Sequence, residues 1–113
     1  MAFSATLKIS NDVAKITLSG ELDAMTAPIF KIEVEKAVAE HPKHLVLLMQ
    51  DLEYMASGGL RVLIFAKQTI DAAADIYIVA PQEMVLETLK KTGFDQNVLI
   101  VDEYVASLSI LLG

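Results

Sequence analysis

The sequence predicts an α/β domain on a mixed β-sheet of about five strands with about four α-helices, in the order β-β-α-β-α-β-α-β-α. Three observations predict it. Two short segments near the start alternate apolar and polar residues, as half-buried strands do. Residues 45–49, LVLLM, are apolar without a break, the pattern of a central strand covered on both faces by helices. Beyond that run, strand-like and helix-like patterns take turns, which implies parallel strands joined by crossover helices.

Taken in order, Phe3, Ala5, Leu7 and Ile9 alternate with Ser4, Thr6, Lys8 and Ser10 to give the first strand. Asn11-Asp12 turns the chain. Ala14, Ile16 and Leu18 then define a second strand, antiparallel to the first because the turn is so short. Thr26 or a near neighbour caps the first helix, with Pro28 in its first turn, where a missing N–H costs nothing. Phe30, Val34, Ala37 and Val38 form its apolar stripe, and Glu33, Lys36 and Glu40 its wet side. After HPKH comes the buried strand 45–49, then a helix over about 57–71 and a strand over 76–80. Pro81 opens a third helix that Gly93 closes. A short strand over 98–101 follows, and Asp102 caps a last helix through 112.

Composition narrows the function. With 113 residues, 54% of them hydrophobic, the chain suits one folded domain over 1–113, short for a scaffold with a deep substrate pocket. No apolar run approaches the roughly 20 residues that span a bilayer, and the N-terminus lacks a basic region before an apolar block. No membrane insertion and a cytoplasmic location are therefore expected. The absence of cysteine removes disulfides, thiolate nucleophiles and cysteine-rich zinc sites. Nine basic residues against fifteen acidic ones, with Arg61 the sole arginine, argue against nucleic acid or anionic membranes as partners.

The informative stretch is 51–63, DLEYMASGGLRVL, expected to connect the end of the buried strand to a helix. In open α/β sheets, sites lie at the carboxyl ends of strands. Ser57 falls where a helix N-cap would sit, and taken alone it reads as that cap. Gly58 and Gly59 follow at some cost in helix propensity, so helix stability alone does not explain them. At about 100° per residue, Arg61, Ile64 and Gln68 fall within about 40° of Ser57, while Val62, Leu63, Ala66 and Ile70 lie opposite, toward the sheet. An apolar Ile64 among polar neighbours suits a protein-binding surface.

Other chemistries find little support. His41 and His44 form an HxxH with no third ligand nearby, so no metal site is expected. A nucleophile elbow needs Gly where Met55 stands, and no phosphate loop occurs.

The 51–63 segment resembles the hallmark of the STAS family, in which Asp-Leu at a strand end leads to a Ser/Thr loop and Gly-Leu. GELDAMTAP, residues 20–28, resembles the family's second block, and the element order also matches, so the resemblance covers nearly the whole chain. It implies a stand-alone STAS domain acting as an anti-sigma factor antagonist, non-catalytic and without cofactors. Phosphorylation would fall on Ser57. The implied partners are an anti-sigma factor of histidine-kinase-like ATPase fold, which is also the serine kinase, and a PP2C-type phosphatase. The unphosphorylated form would bind. Asp23 matches a position implicated in binding that kinase. The expected partner surface is then Asp23, Thr26, Ala56, Ser57, Gly58, Arg61, Ile64 and Gln68. Ala56 and Gly58 depart from the family pattern, which often has Asp or Ser before the serine and Ser or Ala after it. A competing reading keeps the fold but makes the chain a non-switching subunit or scaffold, for instance of a lipid-transport ATPase complex. A small enzyme is the third. The free protein is expected to be a monomer.

Overall fold

The computed structural model describes residues 2–104. Strand β1 (Ser4–Ser10) and strand β2 (Val13–Leu22) form the expected antiparallel hairpin. Asn11 turns it with φ of 55°, a left-handed conformation that Asn tolerates. Helix α1 (Ala27–Ala39), strand β3 (His44–Met55), helix α2 (Ser57–Thr69), strand β4 (Asp75–Val79), helix α3 (Glu83–Thr92) and strand β5 (Leu99–Val101) follow. A 3-10 turn at Phe94–Asn97, unforeseen in the sequence, joins α3 to β5. The sheet runs in the order β1-β2-β3-β4-β5, antiparallel at its first pair and parallel at the rest. Of the expected last helix, only 102–104 are described, and they are irregular; the rest lies outside the described residues.

Each crossover moves one strand along in the same direction, so right-handed connections place the helices on one face. Phe30 and Val34 of α1, Leu63 and Ala66 of α2, and Val85 and Leu89 of α3 join a single buried cluster. From the sheet it takes Ile16, Leu18, Leu45, Leu47, Ile76 and Ile78. This corrects the expectation that helices flank β3 on both faces: among the described residues, they occupy one. On the other face Val46 and Val79 are buried, and His44, Tyr77 and Tyr104 bring their rings within 5.1–6.2 Å of one another. Burial comes first among the causes that push the Tyr77 phenol above its ordinary pKa, with the Asp75 carboxylate adding to it.

Strand β3 is longer than the apolar run suggested. It continues to Met55 because two register shifts against β2, at Thr17/Ser19 and Gly20/Glu21, each insert a residue on the β3 side. Its buried positions therefore change from every second residue (Leu45, Leu47, Met49) to every third (Leu52, Met55). Gly20 makes the second shift possible: its φ is +85°, and a Cβ there would strike the backbone carbonyl of Ala2. Pairing of β3 with β4 ends at Leu48–Val79, so the last part of β3 follows β2 alone.

Two helix ends also move. Helix α2 stops at Thr69 rather than near residue 71. Helix α3 starts at Glu83, not Pro81, because Gln82 is the extended cap residue, and its Nε2 donates to the Gln50 carbonyl at 2.9 Å. Gly93 closes α3 in the left-handed conformation with φ of 77°, as expected. Among the described residues, no helix is long and apolar enough to cross a membrane.

Candidate functional site

Leu22 and Met55 are the last residues of β2 and β3 and stand opposite each other in register. The two motif segments therefore leave the sheet side by side. The Ala56 N–H donates to the Leu22 carbonyl at 2.8 Å and ties the two exits together. Asp23 is thus one residue, and Ser57 two, beyond a paired position.

The first turn of α2 then presses on the β2–α1 loop. A Cβ on Gly59 would lie 2.6 Å from the Leu22 Cδ2 and Cγ atoms. A Cβ on Gly58 would lie 3.2 Å from the Cα of Ala24. The glycines are the price in helix propensity for bringing Ser57 against the loop that carries Asp23.

Ser57 is not the cap. Ala56, extended at φ −91° and ψ 177°, is the N-cap residue, and it provides no side-chain hydrogen bond. Ser57 is the first residue of the helix, exposed, and its hydroxyl has no hydrogen-bond partner among the described residues. The reading of Ser57 as a structural cap therefore fails on geometry. An extended Met55–Ala56 leaves no loop between strand and helix, so the helix starts one residue earlier than a serine cap would need.

Asp23 has a defined structural task. Its Oδ1 accepts from the N–H groups of Met25 at 2.9 Å and Thr26 at 3.1 Å. In return, the Thr26 Oγ1 accepts from the Asp23 N–H at 2.9 Å and donates to the Glu21 carbonyl, also at 2.9 Å. Thr26 is the N-cap residue of α1 by position, yet its hydroxyl closes the turn before the helix rather than capping helical amides. Asp23→Ala is expected to lower stability by about 1 kcal/mol, the usual cost of losing such a side-chain acceptor, and Asp23→Asn by less. Urea titration followed by circular dichroism checks it; equal stability of all three proteins would contradict the turn's role.

Further along α2, Arg61, Ile64 and Gln68 are exposed as expected, and Val62, Leu63 and Ala66 are buried. Large apolar side chains are exposed near the two motif segments: Met25 at 86%, Tyr54 at 42% and Ile64 at 40%. Nothing in the sequence pattern pointed to Met25 or Tyr54. The available signal was a large apolar residue inside a turn, at Met25, where a polar one is usual.

The histidines lie elsewhere. His44 opens β3 and Ser57 follows its far end, so the length of the strand, up to about 36 Å at about 3.3 Å per residue, separates them. His41 pairs with Asp71 at 3.3 Å, and His44 faces Asp75 at 3.9 Å. These are the only two histidines of the chain, so none can take a proton from Ser57. Among the described residues, no three groups of metal-ligating type come together.

The chain is 25% identical over 96 residues to an anti-sigma-F factor antagonist, RsfB, of Mycobacterium tuberculosis, covering 85% of this chain and 79% of that protein. Its fold is similar to the crystal structure of an anti-sigma factor antagonist from Mycobacterium paratuberculosis, with TM-score 0.87 and 21% identity over 99% of this chain and 96% of that one. It is also similar to SpoIIAA, an anti-sigma factor antagonist, in its unphosphorylated form, with TM-score 0.75 and 17% identity over 96% and 93% of the two chains. The phosphorylated form of SpoIIAA, from Bacillus, matches with TM-score 0.68 and 16% identity over 96% of each chain. The STAS domain model matches residues 4–107, so the chain belongs to the STAS domain family.

Proposed function

We propose that this protein is an anti-sigma factor antagonist that binds an anti-sigma factor when Ser57 is unphosphorylated and is released when Ser57 carries a phosphate. The observation that carries this reading is the Ser57 hydroxyl: exposed, unbonded, at the start of α2, beside the Asp23 turn. A hydroxyl needed for the fold would be bonded. This one is free to accept a phosphoryl group.

The partner surface consists of Asp23, Thr26, Ala56, Ser57, Gly58, Arg61, Ile64 and Gln68. Met25 and Tyr54 extend it with exposed apolar area that suits an interface better than solvent. The partner is the kinase itself, of histidine-kinase-like ATPase fold, and a PP2C-type phosphatase restores the hydroxyl. The chain does no chemistry of its own. RsfB and the structurally similar proteins carry the antagonist name, and SpoIIAA exists in phosphorylated and unphosphorylated forms, which supports a regulatory reading.

The switch works by local charge. A phosphate adds about −1.5 to −2 charges. On Ser57 it would meet the free amides and positive dipole end of α2, where Ala56 offers no competing side-chain acceptor. The fold tolerates it there, whereas a desolvated interface does not.

A pull-down from lysate of the source organism, with wild-type, Ser57→Ala and Ser57→Asp baits and mass spectrometry of the retained proteins, tests this reading. Wild type and Ser57→Ala should hold a histidine-kinase-like ATPase that Ser57→Asp releases. Equal retention of one protein by all three baits would instead make the chain a constitutive subunit or scaffold.

A further inference from the structure

Helix α2 packs on α1 along one flank, where the Lys31 Nζ lies 4.7 Å from the Phe65 ring centroid, but it hardly touches α3 on the other. The gap is a cleft of about 300 Å³, at the small end of ligand-sized pockets. Its apolar wall is Leu60, Ile64 and Phe94. Lys67 is the one charged residue lining it, and it makes no ion pair among the described residues. The amides of Gln68 and Asn97, also in the lining, have no hydrogen-bond partner among the described residues. Thr92 completes the wall, but its hydroxyl proton is engaged by the Thr88 and Leu89 carbonyls at 2.9 and 3.1 Å.

Among the described residues, no carboxylate lines this cleft, although the chain carries fifteen acids against nine bases. A cation would find no counter-charge there. We infer that the cleft binds a small amphipathic anion, an apolar body bearing one carboxylate or sulfonate. Leu60, Ile64 and Phe94 cover the body, Lys67 neutralises the charge, and the Gln68 and Asn97 amides donate to it. Ile64 also belongs to the Ser57 face. On the reading above, an occupant would therefore remove that side chain from the partner surface. The test uses the free protein and is independent of that reading.

Anilinonaphthalene sulfonate, titrated into wild type, is expected to bind one-to-one with a saturable gain in fluorescence. Amide NMR shifts should concentrate at Leu60, Ile64, Lys67, Phe94 and Asn97. Ile64→Glu places a like charge against the anion at a 40% exposed position and should weaken binding about tenfold or more. Lys67→Glu should weaken it about fivefold or more and Lys67→Arg should retain it, circular dichroism confirming each fold. Lys8→Glu, the same charge change on β1, should leave the affinity unaltered. Absence of saturable binding up to millimolar probe, shifts centred on other residues, or equal weakening by Lys67→Glu and Lys8→Glu would overturn the site.

Discussion

Ser57→Asp is expected to weaken binding of the anti-sigma partner by about a hundredfold, while the folded protein melts at or slightly above the wild-type temperature. The two halves of that result have different causes. A carboxylate in the first turn of α2 sits at the positive end of the helix dipole, worth about 0.3–1 kcal/mol in favour of the fold. The same charge, desolvated against a partner that has shaped itself to a neutral serine, costs about 2.7 kcal/mol, which is a hundredfold in affinity. Ser57→Ala removes a hydroxyl that bonds nothing among the described residues, so binding should stay within a few-fold of wild type. True phosphorylation carries more charge than Asp and should weaken binding further. Calorimetric titration of the purified partner, with a thermal melt of each variant, measures both halves. A Ser57→Asp protein that unfolds, or one that binds like wild type, would remove the electrostatic account.

The second large effect concerns the position that lets Ser57 sit where it does. Gly59→Val is expected to destabilise the fold by about 2 kcal/mol. A Cβ at 59 would meet Leu22 Cδ2 and Cγ at 2.6 Å and Met55 Cγ at 2.9 Å. Leu22 is fully buried and Met55 4% exposed, so neither can yield without disturbing the core. Overpacking of this kind costs about 1–3 kcal/mol, against a gain of only a few tenths in helix propensity. For a domain of this size the melting temperature should fall by about 8 °C. Gly58→Ala is the contrast. Its Cβ would stand 3.2 Å from the Ala24 Cα, tight but not prohibitive, and the gain in helix propensity offsets much of the crowding. Its melt should lie within a few degrees of wild type. If Gly59→Val were as stable as wild type, close approach of α2 to the β2 end would not be the reason for that glycine.

Much of the fold was legible because its signals are local. Alternation in residues 3–9 and 14–18, the apolar run at 45–49 and Gly93 after an amphipathic segment each depend on a few neighbouring residues. Ser57 and Asp23 were singled out for a different reason, as parts of two motif blocks. The true extent of β3 was not. Its two inserted residues break the two-residue period after Met49, so Leu52 and Met55 point to the core at a spacing that resembles no strand. The same bulges made residues 51–55 read as a connection and placed the cap one residue late. The exposure of Met25 and Tyr54 could not be read either, since burial depends on what the rest of the chain covers.

By itself the sequence determined the five strands and the first three helices in their order, the parallel sheet after the first hairpin and the residue types at the Ser57 face. Tertiary structure alone decided that Leu22 and Met55 end their strands as neighbours, which brings Asp23 and Ser57 to one edge from positions 34 residues apart (57 − 23). It alone decided that Ser57 is a free helical residue rather than a cap, and that α2 stands away from α3 to leave a cleft. The physical reason is the range of the forces involved. Backbone preference and periodicity act over a turn or a pleat, whereas register and close approach are set by packing between segments far apart in the chain.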